Sequence, residues 1–127
     1  MSGPGAGRLE LGRAGEDAAV AELERRGYRV IERNWRCRLG EIDVIAEHGS
    51  VIVFIEVKAR RSTSFGAPAE AVDHRKARRL ARLAGVYASG RPALFKNREC
   101  RFDVASVIVA GDGSASVELI QDAFSSI

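Results

Sequence analysis

The stretch that decides the fold is GEIDVIAEHGSVIVFIEVKAR, Gly40 to Arg60. Gly49-Ser50 stands between two apolar-rich runs, and Gly followed by Ser marks a two-residue type II′ hairpin turn. Pairing His48 with Val51 sets the ladder. Glu47 then faces Ile52, Ile45 faces Phe54, Asp43 faces Glu56 and Glu41 faces Lys58. Period-two alternation places Ile45, Glu47, Ile52 and Phe54 on one face, with Glu41, Asp43, Glu56 and Lys58 at its far end. Ile42, Val44, Ala46, Val51, Val53, Ile55 and Val57 form the other face, apolar up to His48 at the turn.

Charged residues rarely enter a strand pattern this apolar without a reason. Directly opposed side chains have Cβ atoms roughly 4.5–5.5 Å apart, so two carboxylates paired there repel each other. A divalent cation between Asp43 and Glu56 removes the conflict, because hard cations prefer oxygen ligands. The bland alternative is a solvated face carrying a Glu41–Lys58 salt bridge. The residues alone leave both open.

Outward from the hairpin, residues 10–26 read as a helix stopped at Gly27 and covered by Tyr28. Residues 1–9 read as a flexible tail. Residues 29–36 alternate as a strand, and 41–48 and 51–60 are the hairpin strands. Residues 61–68 are a loop, and a second helix runs from near Pro68 to about Ser89. Strands at 100–109 and 115–121 follow, then a terminal turn over 122–127. The order α-β-β-β-α-β-β over 127 residues predicts a single α/β domain, a mixed sheet flanked by helices.

The helices add chemistry. Gly12, Glu16, Ala19, Val20, Leu23 and Gly27 share one stripe of the first helix, and Glu16 is its only charge. It could point toward Asp43, or simply favour the positive helix start. In the second helix Ala69, Val72, Leu80, Leu83, Ala84 and Tyr87 make a core stripe that includes Lys76. Arg75, Arg78, Arg79 and Arg82 fall on another face, a row of guanidiniums suited to phosphate oxygens or merely solvated.

Composition sets limits. Net charge is +3, too mild alone to require nucleic acid, but Lys58 to Arg82 holds eight basic residues against two acidic ones. No apolar run is long enough to span a bilayer, and the first residues lack a secretory apolar core, so a cytoplasmic protein without a membrane partner is expected. Cys37 and Cys100 fit no metal-knuckle spacing and read as reduced thiols. Only eight aromatic residues are present, which disfavours a base-stacking platform.

Asp43 followed thirteen residues later by Glu56-Val57-Lys58 resembles the PD-(D/E)xK pattern of restriction-endonuclease-like nucleases, with Ile42 in place of the proline. The whole chain more closely resembles the bacterial YraN-type family, regarded as endonucleases and likened to archaeal Holliday junction resolvases. The matching pieces are GRAGEDAA at 12–19, RGYRVIERNWR at 26–36, GEIDVIA at 40–46, VFIEVKAR at 53–60, GAPAEAV at 66–72, Lys76 and RFDV at 101–104. The resemblance implies a restriction-endonuclease-like fold and cleavage of DNA, branched or duplex, with Mg²⁺ or Mn²⁺. It implies Asp43, Glu56 and the Val57 carbonyl as metal ligands, Lys58 as catalytic lysine and Glu16 as the helix acid that completes the site. Bound there, the ion would activate water and offset phosphate charge. Arg60 and Arg61, the arginine row and Lys76 would contact the backbone of the nucleic acid. Glu41 could bind metal or pair with Lys58, and Asp103 could serve the site or an arginine. A non-catalytic nucleic-acid-binding module on the same fold is the alternative function. A homodimer is one way so small an enzyme could act on two strands.

Overall fold

The computed structural model describes residues 4–62 and 74–123, and side chains from residue 10 in the first helix and from residue 75 in the second. Helix α1 spans Pro4–Arg25, followed by strands β1 (Arg29–Cys37), β2 (Gly40–His48) and β3 (Val51–Arg61). Helix α2 (His74–Ser89), a single turn α3 (Pro92–Phe95), and strands β4 (Cys100–Val109) and β5 (Ala115–Ile120) complete the order. The five strands form one sheet in chain order, all neighbours antiparallel except the parallel pair β3–β4, which α2 and α3 connect. The expected mixed α/β architecture is therefore the observed one. The expected start of the second helix near Pro68 lies outside the described residues. The tail expected over 1–9 is helical from Pro4, and the one-turn α3 was not foreseen.

The sheet is covered on both faces, so its strands carry apolar residues on both. Ile42, Ile45, Ile52, Phe54 and Val104 pack with Ala77, Leu80, Leu83, Ala84 and Tyr87 of α2. Val44, Ala46, Val53, Ile55, Ala105 and Val107 pack with Ala19 and Leu23 of α1. Gly27, at φ +90, takes the left-handed conformation that ends α1, and Tyr28 is buried behind it.

The hairpin register is as expected for five pairs, His48↔Val51 through Val44↔Ile55. Gly49 has φ +64 while Ser50 stays out of the left-handed region, as a type II′ turn requires.

One contact not foreseen sets the depth of α1. Gly15 is buried, and a Cβ there would stand 2.4 Å from Cβ of Ala59 on β3. Any larger residue would push α1 off the sheet. That close approach brings Glu16, the next residue, down to the strands.

Candidate active site at a fork in the sheet

The ladder between β2 and β3 ends at Val44↔Ile55, one pair short of Asp43 and Glu56. Beyond it each strand keeps only its outer partner. On β2, Ile42, Glu41 and Gly40 pair with Trp35, Arg36 and Cys37 of β1. On β3, Glu56 to Arg61 pair with Val104 to Val109 of β4. The expected cross-strand pairs Asp43–Glu56 and Glu41–Lys58 are thus replaced by a fork. The Asp43 carboxylate fills it, its Oδ2 accepting the Val57 N–H at 2.8 Å. A side chain takes over where the neighbouring strand no longer supplies an acceptor.

The alternation of side chains also breaks here. Val44 packs beneath α1, yet Ile42, two residues away, packs beneath α2. The expectation that Ile42 shares the face of Val44 is therefore corrected. The cause lies partly in β1. Arg33↔Val44 and Trp35↔Ile42 are paired, which leaves Asn34 opposite Asp43. Asn34 has φ 55, a left-handed residue inside a strand. Asparagine tolerates that conformation better than other L-residues. In consequence the consecutive residues Arg33 and Asn34 both reach Glu16 Oε1, at 2.8 and 2.9 Å, instead of pointing to opposite faces.

Asp43 lies between two cavities. The larger, about 720 Å³, is on the α1 side and is lined by Glu16, Arg13, Arg33, Asn34, Arg36 and Val57, among others. The smaller, about 270 Å³, is on the α2 side and is lined by Ile42, Ile55, Glu56, Lys76, Arg79 and Leu80, among others. Glu41 and Asp43 border both. Burial pushes the Asp43 carboxyl up to about 6, and the negative charges of Glu56, Glu41 and Glu16 add to the effect; the Val57 N–H opposes it.

Each proposed acid is oriented through one oxygen. Asp43 uses Oδ2 on Val57 N–H, Glu56 Oε1 faces Lys58 Nζ at 3.4 Å, and Glu16 Oε1 holds Arg33 and Asn34. Among the described residues the second oxygen of each makes no hydrogen bond. Three such acids are not gathered tightly: among the described residues, no group of three or more His, Cys, Asp or Glu is placed to hold a metal ion. A Mg²⁺ ion needs no such group. It is commonly held by one or two carboxylates plus water and substrate phosphate. Asp43 and Glu56 both line the smaller cavity, and two carboxylates beside one cavity fit that requirement. Glu16 is held on the α1 side by Arg33, which also binds Asp17 at 2.6 Å.

The remaining expected residues divide clearly. Arg75, Arg78, Arg79 and Arg82 are all exposed on α2, and Lys76 is half-buried at the smaller cavity. Arg60 and Arg61 lie at the end of β3, half-buried and exposed respectively. Glu41 pairs with Arg36 at 3.0 Å, and Lys58 pairs with Glu56. Asp103 is fully buried against Arg101, Tyr28 and the Asp122 N–H, which makes it a structural partner of an arginine. Asn34 was missed. An Asn within an alternating strand was the available sign.

The family model that matches the chain is the uncharacterised protein family UPF0102, over residues 15–107. A UPF0102 protein of Moorella thermoacetica is 50% identical over 118 residues, covering 92% of this chain and 97% of its own. One from Symbiobacterium thermophilum is 50% identical over 114 residues, covering 90% and 95%. One from Dictyoglomus thermophilum is 44% identical over 104 residues, covering 82% and 86%. Among the described residues no helix is long and apolar enough to cross a membrane.

Proposed function

We propose that this chain, which belongs to the uncharacterised protein family UPF0102, is a metal-dependent DNA endonuclease that hydrolyses phosphodiester bonds in branched or duplex DNA. The observation that carries the proposal is Asp43. A half-buried carboxylate sits in a fork of the sheet, near the negative charges of Glu56, Glu41 and Glu16, and burial lifts its pKa to about 6. Natural folds keep so costly a cluster chiefly where chemistry uses it.

Asp43, Glu56 and the Val57 carbonyl would hold Mg²⁺ or Mn²⁺. When bound, the ion supplies Lewis acidity, neutralising phosphate charge and activating water. The chain's own residues do the rest. The Val57 N–H fixes the rotation of Asp43. Glu56 holds the ammonium of Lys58 beside the fork, where it can donate to a phosphoryl oxygen as negative charge develops. Glu16 adds negative charge from the α1 side. Lys76 and Arg79 border the smaller cavity, and Arg75, Arg78 and Arg82 continue that basic surface along α2. With Arg60 and Arg61 they would bind phosphates without reading sequence. Two cuts in a junction need two such sites, which a homodimer would supply. The free thiols Cys37 and Cys100 suit the reducing cytoplasm, the proposed setting.

The test is incubation with junction, flap, duplex and single-stranded DNA in Mg²⁺ or Mn²⁺, beside Asp43→Ala and Lys58→Ala. The proposal expects cleavage by the wild type, reduced at least 10²-fold in each variant, as for loss of a key charge-stabilising group. Cleavage equal in all three would mark a contaminant. Binding without cleavage, insensitive to both variants, would favour a non-catalytic nucleic-acid-binding module.

A further inference from the structure

Asn34 touches neither Glu56 nor Lys58, and no metal role falls to an amide so placed. Its position is nevertheless singular. It stands across the ladder from Asp43, in the gap between the pairs Arg33↔Val44 and Trp35↔Ile42. It holds a left-handed φ of 55 inside β1. Its Nδ2 donates to Glu16 Oε1 at 2.9 Å, beside Arg33 Nε at 2.8 Å on the same oxygen. The one residue thus ties α1 to the place where the strand alternation fails.

Without that tie, a left-handed residue in a strand has no local reason to persist. An ordinary extended residue at 34 would turn away from Arg33 and restore the pleat. The opposed strand would then gain regular pairing at Asp43, and its carboxylate would leave the fork. We infer that Asn34 is a positioning residue for the metal site: its amide, anchored on Glu16, holds the strand irregularity that keeps Asp43 aimed into the fork. This rests on the metal reading above. It also gives Glu16 a second task, as anchor for Asn34, whether or not it reaches the ion. Outer partners of this kind typically change metal affinity by 10–100-fold when removed.

The decisive variant is Asn34→Gly. Glycine permits the left-handed backbone at no steric cost but does not hold it, because the amide tie to Glu16 is gone. Mn²⁺ binding by wild type, Asn34→Gly and Asp43→Ala would be measured by calorimetry. The electron paramagnetic resonance spectrum of the bound ion and the metal-free melting temperature would be recorded on the same samples. The expected result is an approximately 10-fold or greater rise in the Mn²⁺ dissociation constant and an altered spectrum for Asn34→Gly, with the melting temperature held within about 3 °C. Asn34→Asp, which keeps the size but loses the donor, should bind no better than Asn34→Gly. Wild-type affinity and spectrum in Asn34→Gly would overturn the inference while leaving the metal reading standing. So would a weakened affinity matched by a general loss of stability. Absence of Asp43-dependent binding in the wild type would overturn the metal reading and this inference with it.

Discussion

Replacing Asp43 by asparagine is expected to stabilise the protein at pH 8 without divalent ions, by roughly 3 kcal/mol. Asparagine can still accept the Val57 N–H through its side-chain oxygen, so the fork keeps its hydrogen bond. What it loses is a charge held among charges. Burial chiefly, then Glu56, Glu41 and Glu16, lifts the Asp43 carboxyl from 3.8 to about 6. The sign follows from proton binding. Above about pH 6 the carboxylate is ionised in folded and unfolded chains alike, and the folded state carries the whole penalty. Between about 6 and 4 the folded state takes up a proton first and the penalty falls. Below about 4 both states are protonated and the penalty is gone. The advantage of Asp43→Asn should therefore be greatest at pH 8 and vanish by pH 4, as read from urea midpoints in a chelator. A variant less stable than the wild type at pH 8 would show that the carboxylate is not under strain.

Asp103→Ala should be the most damaging single change outside the fork, costing about 3–5 kcal/mol. Asp103 is completely buried and accepts four hydrogen bonds: Tyr28 Oη and Arg101 Nη2 on Oδ2, Arg101 Nε and the Asp122 N–H on Oδ1. Removing it strands the Arg101 guanidinium, which also donates to Tyr28 Oη and contacts His48 Nδ1, against a cavity. Tyr28 and His48 are stacked with ring centroids 4.1 Å apart, so the network ties the end of α1 to the hairpin turn and β4. A loss of that size is a large share of a typical total of 5–15 kcal/mol. It should lower the melting temperature by roughly 10 °C or more. Asp103→Asn, which keeps two acceptor lone pairs, should cost less. Since Asp103 lies outside the fork, surviving folded protein should bind Mn²⁺ as the wild type does. A stable variant that had lost metal would return Asp103 to the functional set.

Most of the fold was legible because its signals are local. Gly49-Ser50 specifies a turn, and the turn specifies the five hairpin pairs that follow it. Gly27 closes α1 where an αL cap was read, and Leu80, Leu83, Ala84 and Tyr87 are buried along the face that their spacing outlined. The site was legible in its members but not in its geometry. Carrying the register on to Asp43 and Glu56 assumed an unbroken ladder, and nothing local announces that β2 and β3 part after Val44↔Ile55. The break depends on Asn34, whose unusual φ is maintained by Glu16, 18 residues earlier in the chain. Gly15 was equally silent: the need for no side chain comes from Ala59, a residue of another element. The places not legible in the sequence are those where two distant segments decide one backbone conformation. In this chain those places surround the candidate site.

Anomalous diffraction from crystals soaked in Mn²⁺ bears most directly on the metal site. A peak is expected at the mouth of the fork, bounded by the carboxylates of Asp43 and Glu56 and absent from Asp43→Ala crystals. A fork without density at millimolar Mn²⁺, or an ion bound only elsewhere, would contradict the metal reading.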